Sequence, residues 1–153
     1  MIGIIGTKSV SQIGIIVRDM EEAKARYAEF YGVDVPPHFD GGKFEVTGTT
    51  VEGEPAPDAN CWMAFFDVGP GLQLELIQPN GHKSAWQDFL DEYGEGLHHI
   101  AYNVEDMEEA IRSCEAFGMK VLQRGKYGDG GGEYTYLDAR DSLRCYIELL
   151  QSY

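Results

Sequence analysis

The stretch Gly96-Leu97-His98-His99-Ile100-Ala101-Tyr102-Asn103-Val104-Glu105-Asp106-Met107-Glu108-Glu109-Ala110 reads as a strand, a cap and the first turn of a helix. It occurs twice. Laying His99 on Gln12 puts Ile100 on Ile13 and Val104 on Val17. It also puts Asp106-Met107-Glu108-Glu109-Ala110 on the identical run Asp19-Met20-Glu21-Glu22-Ala23. Two copies this similar and this far apart imply a duplicated supersecondary unit. A second pair repeats as well, Leu74-Glu75-Leu76-Ile77-Gln78 against Ile147-Glu148-Leu149-Leu150-Gln151. Each half therefore runs from a strand that opens on a polar residue, Gln12 or His99, to a strand centred on a glutamate, Glu75 or Glu148.

The chain of 153 residues suffices for one domain with a core, built as two fused half-domains. Its composition, 43% hydrophobic and 25% charged, argues against disorder. The net charge of −14 disfavours nucleic acid, whose phosphates need a basic face, and disfavours an anionic membrane surface. No apolar run approaches ~18 residues, so no membrane-spanning helix is expected. Met1 to Gly6 lacks the length and basic lead of a signal peptide. Cys61, Cys114 and Cys145 are odd in number and widely spaced, which fits reduced thiols in a cytoplasmic protein.

In chain order, Ile13 to Val17 predicts a buried strand, and Met20 to Tyr31 a helix capped by Asp19 and stopped by Gly32. Residues 35–60 are rich in breakers, although Phe44-Glu45-Val46-Thr47 alternates like a strand. Trp62 to Val68 and Leu72 to Gln78 predict a hairpin turned by Gly69-Pro70-Gly71. Ser84 to Tyr93 reads as a connecting helix, within about residues 83–95. The second half then repeats the pattern: a strand at His99–Val104, a helix at Met107–Phe117, and strands at Met119–Lys126, Tyr134–Leu137 and Cys145–Leu150. Residues 138–141 join the last two. The organisation is one domain over 1–153, with a first module at about 10–79 and a second at about 97–152. Each module is β, α and three strands, and two such curved modules can enclose an open-sided cavity.

Strand alternation puts Glu75 on the face opposite Leu74 and Leu76, and Gln12 on the face of Gly14. Pseudo-twofold pairing of the halves would bring Gln12, Glu75, His99 and Glu148 to one cavity, with the small residues Gly14 and Ala101 leaving room above them. An imidazole, two carboxylates and an amide oxygen suit a six-coordinate divalent ion with open positions. A glutamate between leucines is ordinarily the wet face of a strand. Here the same glutamate recurs in both halves. His98 points the other way by the period of two and reads as structural, while His38 and His82 fall in loops with no motif. Gly128-Asp129-Gly130-Gly131-Gly132 lacks the ending of a phosphate loop and reads as a hairpin connection or a flap, and residues 35–60 are a second candidate lid. The cysteines lack a neighbouring histidine-based nucleophile motif.

These repeats, together with Gly96-Leu97-His98-His99-Ile100-Ala101, resemble the vicinal oxygen chelate superfamily, also called the glyoxalase/bleomycin resistance/dioxygenase fold. The resemblance covers Val10 to Gln151 and is strongest to the methylmalonyl-CoA epimerase-like members. It implies an α+β fold of two paired βαβββ modules and a divalent metal (Co, Mn, Ni, Zn or Mg) on Gln12, Glu75, His99 and Glu148. It further implies an isomerase or lyase that stabilises an enolate of a small 2-substituted carbonyl acid or acyl thioester, with Glu148 as ligand and base together, and a homodimer. The family also offers a glyoxalase I-like lyase and a metal-free ligand-sequestering protein of the bleomycin-resistance type. Two departures stand out. Gln12 replaces the histidine usual in epimerases. Trp62-Met63-Ala64-Phe65-Phe66, where a second catalytic carboxylate is expected near Met63, contains no acid.

Overall fold

Both copies of the repeat fold as read, and they meet at the centre of a single sheet. The computed structural model describes residues 1–153. The first half contributes β1 (Val10–Ile16), α1 (Met20–Tyr31), β2 (Phe39–Asp40), α2 (Phe44–Thr47), β3 (Thr50–Val51), β4 (Glu54–Pro55), β5 (Cys61–Gly69) and β6 (Leu72–Pro79). After the connecting helix α3 (Ala85–Tyr93) come β7 (Gly96–Asn103), α4 (Met107–Ala116), β8 (Lys120–Lys126), β9 (Gly132–Asp138), α5 (Arg140–Leu143) and β10 (Tyr146–Ser152). The ten strands run in the order β2-β5-β6-β1-β7-β10-β9-β8-β3-β4. The central pair, β1 and β7, is antiparallel with Ile13 opposite Ile100, the two residues that coincide in the repeat. Parallel neighbours flank it, β6 beside β1 and β10 beside β7, so the sheet has a pseudo-twofold through that pair.

The duplicated residues explain the duplicated geometry. Asp19 accepts from the Glu22 N–H at 3.1 Å and Asp106 from the Glu109 N–H at 2.9 Å, capping α1 and α4 in the same way. Gln78 and Gln151, which end the second repeat, each take the first N–H of a helix, those of Met20 and Met107, both at 2.8 Å. Each helix start is thereby tied to its own strand. Gly32, at φ 69°, closes α1 in the left-handed conformation.

The helices cover one face of the sheet in two separate cores. Under α1 lie Leu74, Leu76, Ala64 and Phe66; under α4 lie Ile147, Leu149 and Leu137, against its own Cys114. On the opposite face, α3 packs Trp86 and Leu90 onto Ile16, Ile77 and Tyr136. It closes one end of the hollow around which the sheet curls.

Four local expectations differ. Phe44–Thr47 is a single helical turn, not a strand. Gly48 takes φ 54° and returns its N–H to the Phe44 carbonyl at 2.8 Å, and four alternating residues are too few to fix a period against such a closure. Residues 35–60 do more than connect. Their β3 pairs with β8 of the other half, Thr50 opposite Arg124, so this segment crosses the hollow and ties the two modules together. The junction at 138–141 contains the short turn α5, ending on Arg144 at φ 66°.

His98 is the fourth. The ladder between β1 and β7 slips between Gly14/His99 and Ile15/Leu97, so His98 is the extra residue of a β-bulge. A bulge breaks the alternation, and His98 stands beside His99 on the hollow side, against Tyr136 and the Ala85 carbonyl of α3. An equivalent slip at Ser11 precedes Gln12. Each half thus carries a bulge one residue ahead of its candidate ligand.

Candidate metal centre

The site is built where the two halves meet. In the ladders Gly14 lies opposite both Glu75 and His99, while Glu148 lies opposite Ala101. Glu75, His99 and Glu148 converge from three strands, their ligating atoms all within 4.8 Å of one another. His99 Nε2 is 3.0 Å from Glu148 Oε2 and 3.4 Å from Glu75 Oε2. All three side chains are buried. The contacts are close but misaligned, so Glu75 Oε2, His99 Nε2 and Glu148 Oε2 have no hydrogen-bond partner. Buried polar atoms left unpaired are costly, and three of them aimed at one point are explained by a cation that all three can ligate.

Electrostatics agree. Burial alone would lower the His99 pKa, but the Glu148 and Glu75 carboxylates lift it to about 10. Burial raises Glu75 above the usual carboxylate range, and the nearby Glu148 charge adds to this against the opposing pull of His99. Burial pushes His98 well below the usual imidazole value, with the neighbouring His99 acting in the same direction. Without a metal, one protonated imidazole offsets only one of the two carboxylates. A divalent ion balances both outright.

Gln12 lines the same hollow, and its Nε2 donates to Gln73 Oε1 at 3.2 Å, which leaves its carbonyl oxygen free to accept or coordinate. The hollow is a cavity of about 460 Å³ between β5/β6 on one side and β9/β10 on the other. Gly41, Gly42, Thr47, Thr49 and Asn60 form part of its wall, as does the loop bearing Tyr127 and Asp129, so both candidate lid segments border it. Tyr136 accepts from Trp86 Nε1 at 3.0 Å, and Tyr134 from Gln123 Nε2 at 2.9 Å; burial raises both phenols and keeps them neutral. Cys61 also lines the cavity, but burial raises its thiol far from nucleophilic range. Met63 faces the cavity, but Asp67, the acid of its strand, does not line it; besides Glu75 and Glu148, the lining acid is Asp129. Sequence reasoning passed over Asp129 because a glycine-rich loop carries no period, and over Trp86 and Tyr136 because their helical and strand spacing marked them simply as core.

A curled sheet of two paired βαβββ modules, with a buried histidine–carboxylate cluster at their junction, defines a class of small proteins whose duplicated halves enclose one site. The chain belongs to the Glyoxalase/Bleomycin resistance protein/Dioxygenase superfamily, whose family model matches residues 11–136. It is 30% identical over 145 residues to the ethylmalonyl-CoA/methylmalonyl-CoA epimerase of Cereibacter sphaeroides, covering 93% of this chain and 96% of that protein. It is 24% identical to the mitochondrial methylmalonyl-CoA epimerase of Dictyostelium discoideum, covering 97% of this chain and 81% of that one. Among solved structures, the methylmalonyl-CoA epimerase of Mycobacterium tuberculosis shares the fold with a TM-score of 0.66 at 18% identity, covering 94% of this chain and 87% of that one.

Proposed function

We propose that this protein is a divalent-metal-dependent epimerase of 2-alkylmalonyl thioesters of coenzyme A, with Glu75, His99, Glu148 and the Gln12 carbonyl oxygen as ligands. The observation that carries it is the convergence of three unpaired buried ligand atoms within 4.8 Å, in a chain 30% identical to an epimerase along nearly its whole length. A divalent ion there supplies Lewis-acid stabilisation of negative charge developing on the substrate oxygens.

The chain's own residues move the proton. Glu148 takes it from C2 of the substrate; the C–H pair passes towards the thioester carbonyl, and the carbon becomes planar. Inversion then needs a proton delivered to the other face. Asp129 is the cavity acid left for that role, on a loop where its Oδ1 accepts from the Gly131 N–H at 2.8 Å. Met63, Phe65 and Leu150 supply the apolar part of the cavity wall beside the planar intermediate. The acidic chain meets a polyanionic thioester through the exposed Lys43 and Lys126, which adjoin the cavity residues Gly42 and Tyr127.

No helix is long and apolar enough to cross a membrane. Three free thiols support a reducing, cytoplasmic setting, and the family and the commonness of symmetric pairs support a homodimer. The test is to incubate one stereoisomer of methylmalonyl-CoA or ethylmalonyl-CoA with metal-loaded protein in deuterium oxide. Inversion with deuterium entering C2 is the expected result. Absence of both inversion and deuterium entry with both thioesters overturns the proposal.

A further inference from the structure

His98 is buried at the site, yet the reaction set out above gives it no part. Its ring is wedged between α3 and His99. Nε2 lies 3.1 Å from the Ala85 carbonyl oxygen, and Nδ1 lies 2.9 Å from Nδ1 of His99. A carbonyl oxygen can only accept, so His98 Nε2 carries a hydrogen. The rings of Phe89, Tyr136 and Tyr146 surround it, none of them an anion, so nothing packed against this buried ring offsets a charge on it. The ring is therefore neutral and its Nδ1 bears only a lone pair. The hydrogen between the two Nδ1 atoms then belongs to His99.

We propose that His98 is a positioning residue. Its Nδ1, backed by the Ala85 carbonyl, holds the N–H of His99 on Nδ1 and so presents the Nε2 lone pair to a divalent ion between Glu75 and Glu148. This rests on the metal-site reading above. The bulge at His98 serves the arrangement, because regular alternation would have turned the ring to the other face. The pseudo-equivalent bulge carries Ser11, whose hydroxyl donates to the Ala101 carbonyl at 3.2 Å. Its neighbour Gln12 has no tautomer to set, and the relay exists in the one half whose ligand needs it. Partners of this kind typically govern metal affinity by roughly 10–100-fold.

Two variants and one spectrum test the proposal. His98→Phe removes the acceptor but keeps a ring. His98→Gln offers an amide oxygen towards His99 and an amide N–H towards Ala85. Cobalt(II) titration of metal-free protein should show His98→Phe weakened by roughly 10–100-fold with an altered visible spectrum, and His98→Gln restored most of the way to wild type. Long-range ¹H–¹⁵N spectra of histidine-labelled wild type, metal-free and zinc-loaded, should show His98 with Nδ1 unprotonated and Nε2 protonated. Unchanged affinity in His98→Phe overturns the proposal, as does a protonated His98 Nδ1. If His98→Phe does not fold, His98→Gln and the wild-type spectrum still decide. A wild type that binds no divalent ion refutes the metal-site reading, whereas the metal-free spectrum judges the relay separately.

Discussion

Gly14 lies opposite His99 across the β1–β7 ladder, and the imidazole occupies the space where a side chain at Gly14 would be. A Cβ there would sit 2.5 Å from Nε2 and closer still to Cε1 and Nδ1. The glycine is required for room. It lets the ring lie flat on β1 between the two carboxylates.

Gly14→Ala should therefore displace His99 and abolish tight divalent-ion binding. Overpacking of this kind costs about 1–3 kcal/mol, so the metal-free fold should weaken by that amount. Cobalt(II) titration and a urea unfolding midpoint check the two halves of the statement. Wild-type binding by the variant would contradict the assigned position of His99.

Metal binding should release a proton. His99, held at about 10 by the carboxylates, carries a proton at neutral pH that must leave before Nε2 can ligate. Calorimetry in buffers of different ionisation enthalpy should show about one proton released per ion near pH 7, and affinity rising with pH. The same shift fixes the sign for the metal-free fold. A folded pKa above the ordinary ~6.5 stabilises fully below that value and is lost as pH rises through about 10. Metal-free stability should fall across that window, and His99→Asn should flatten the fall.

The two proposed proton carriers should separate experimentally. Glu148→Gln should lower exchange of the C2 proton by roughly 10²–10⁴-fold, the usual worth of a positioned base. Asp129→Asn should keep deuterium wash-in but lose inversion, since one face still exchanges. Proton NMR with a chiral assay of the thioester distinguishes these. Inversion at the wild-type rate in Asp129→Asn would assign the second proton to another group.

The pseudo-equivalent caps should be equivalent in energy. Asp19→Ala and Asp106→Ala each remove one side-chain acceptor from a helix start and should each cost about 1 kcal/mol. The sites lie in different cores, so the double variant should show the sum. Denaturant unfolding reads all three.

The duplicated text made most of this architecture legible. Asp19 and Asp106 marked both helix starts, and Glu75 and Glu148 marked both strands of the site, because two copies of one unit obey one set of local rules. The alternation rule placed Glu75 and Glu148 on the cavity face correctly. It failed at His98, where a bulge, set by pairing with a distant strand, turned the residue. Residues 44–60 were illegible for a similar reason: the partner of Thr50 is Arg124 in the other half, and nothing local announces it. Gln12 was correctly drawn to the cavity, but its bond to Gln73 depends on the parallel register of β1 and β6.

The central claim is that Glu75, His99 and Glu148 form a metal centre. Untagged protein purified without chelator, then loaded with cobalt(II) or manganese(II), can be analysed for metal beside Glu75→Gln and His99→Ala variants. We predict about one ion per wild-type chain, and little or none in either variant at the same free-metal concentration. A wild type that takes up no ion, or variants that retain it in full, would contradict the account.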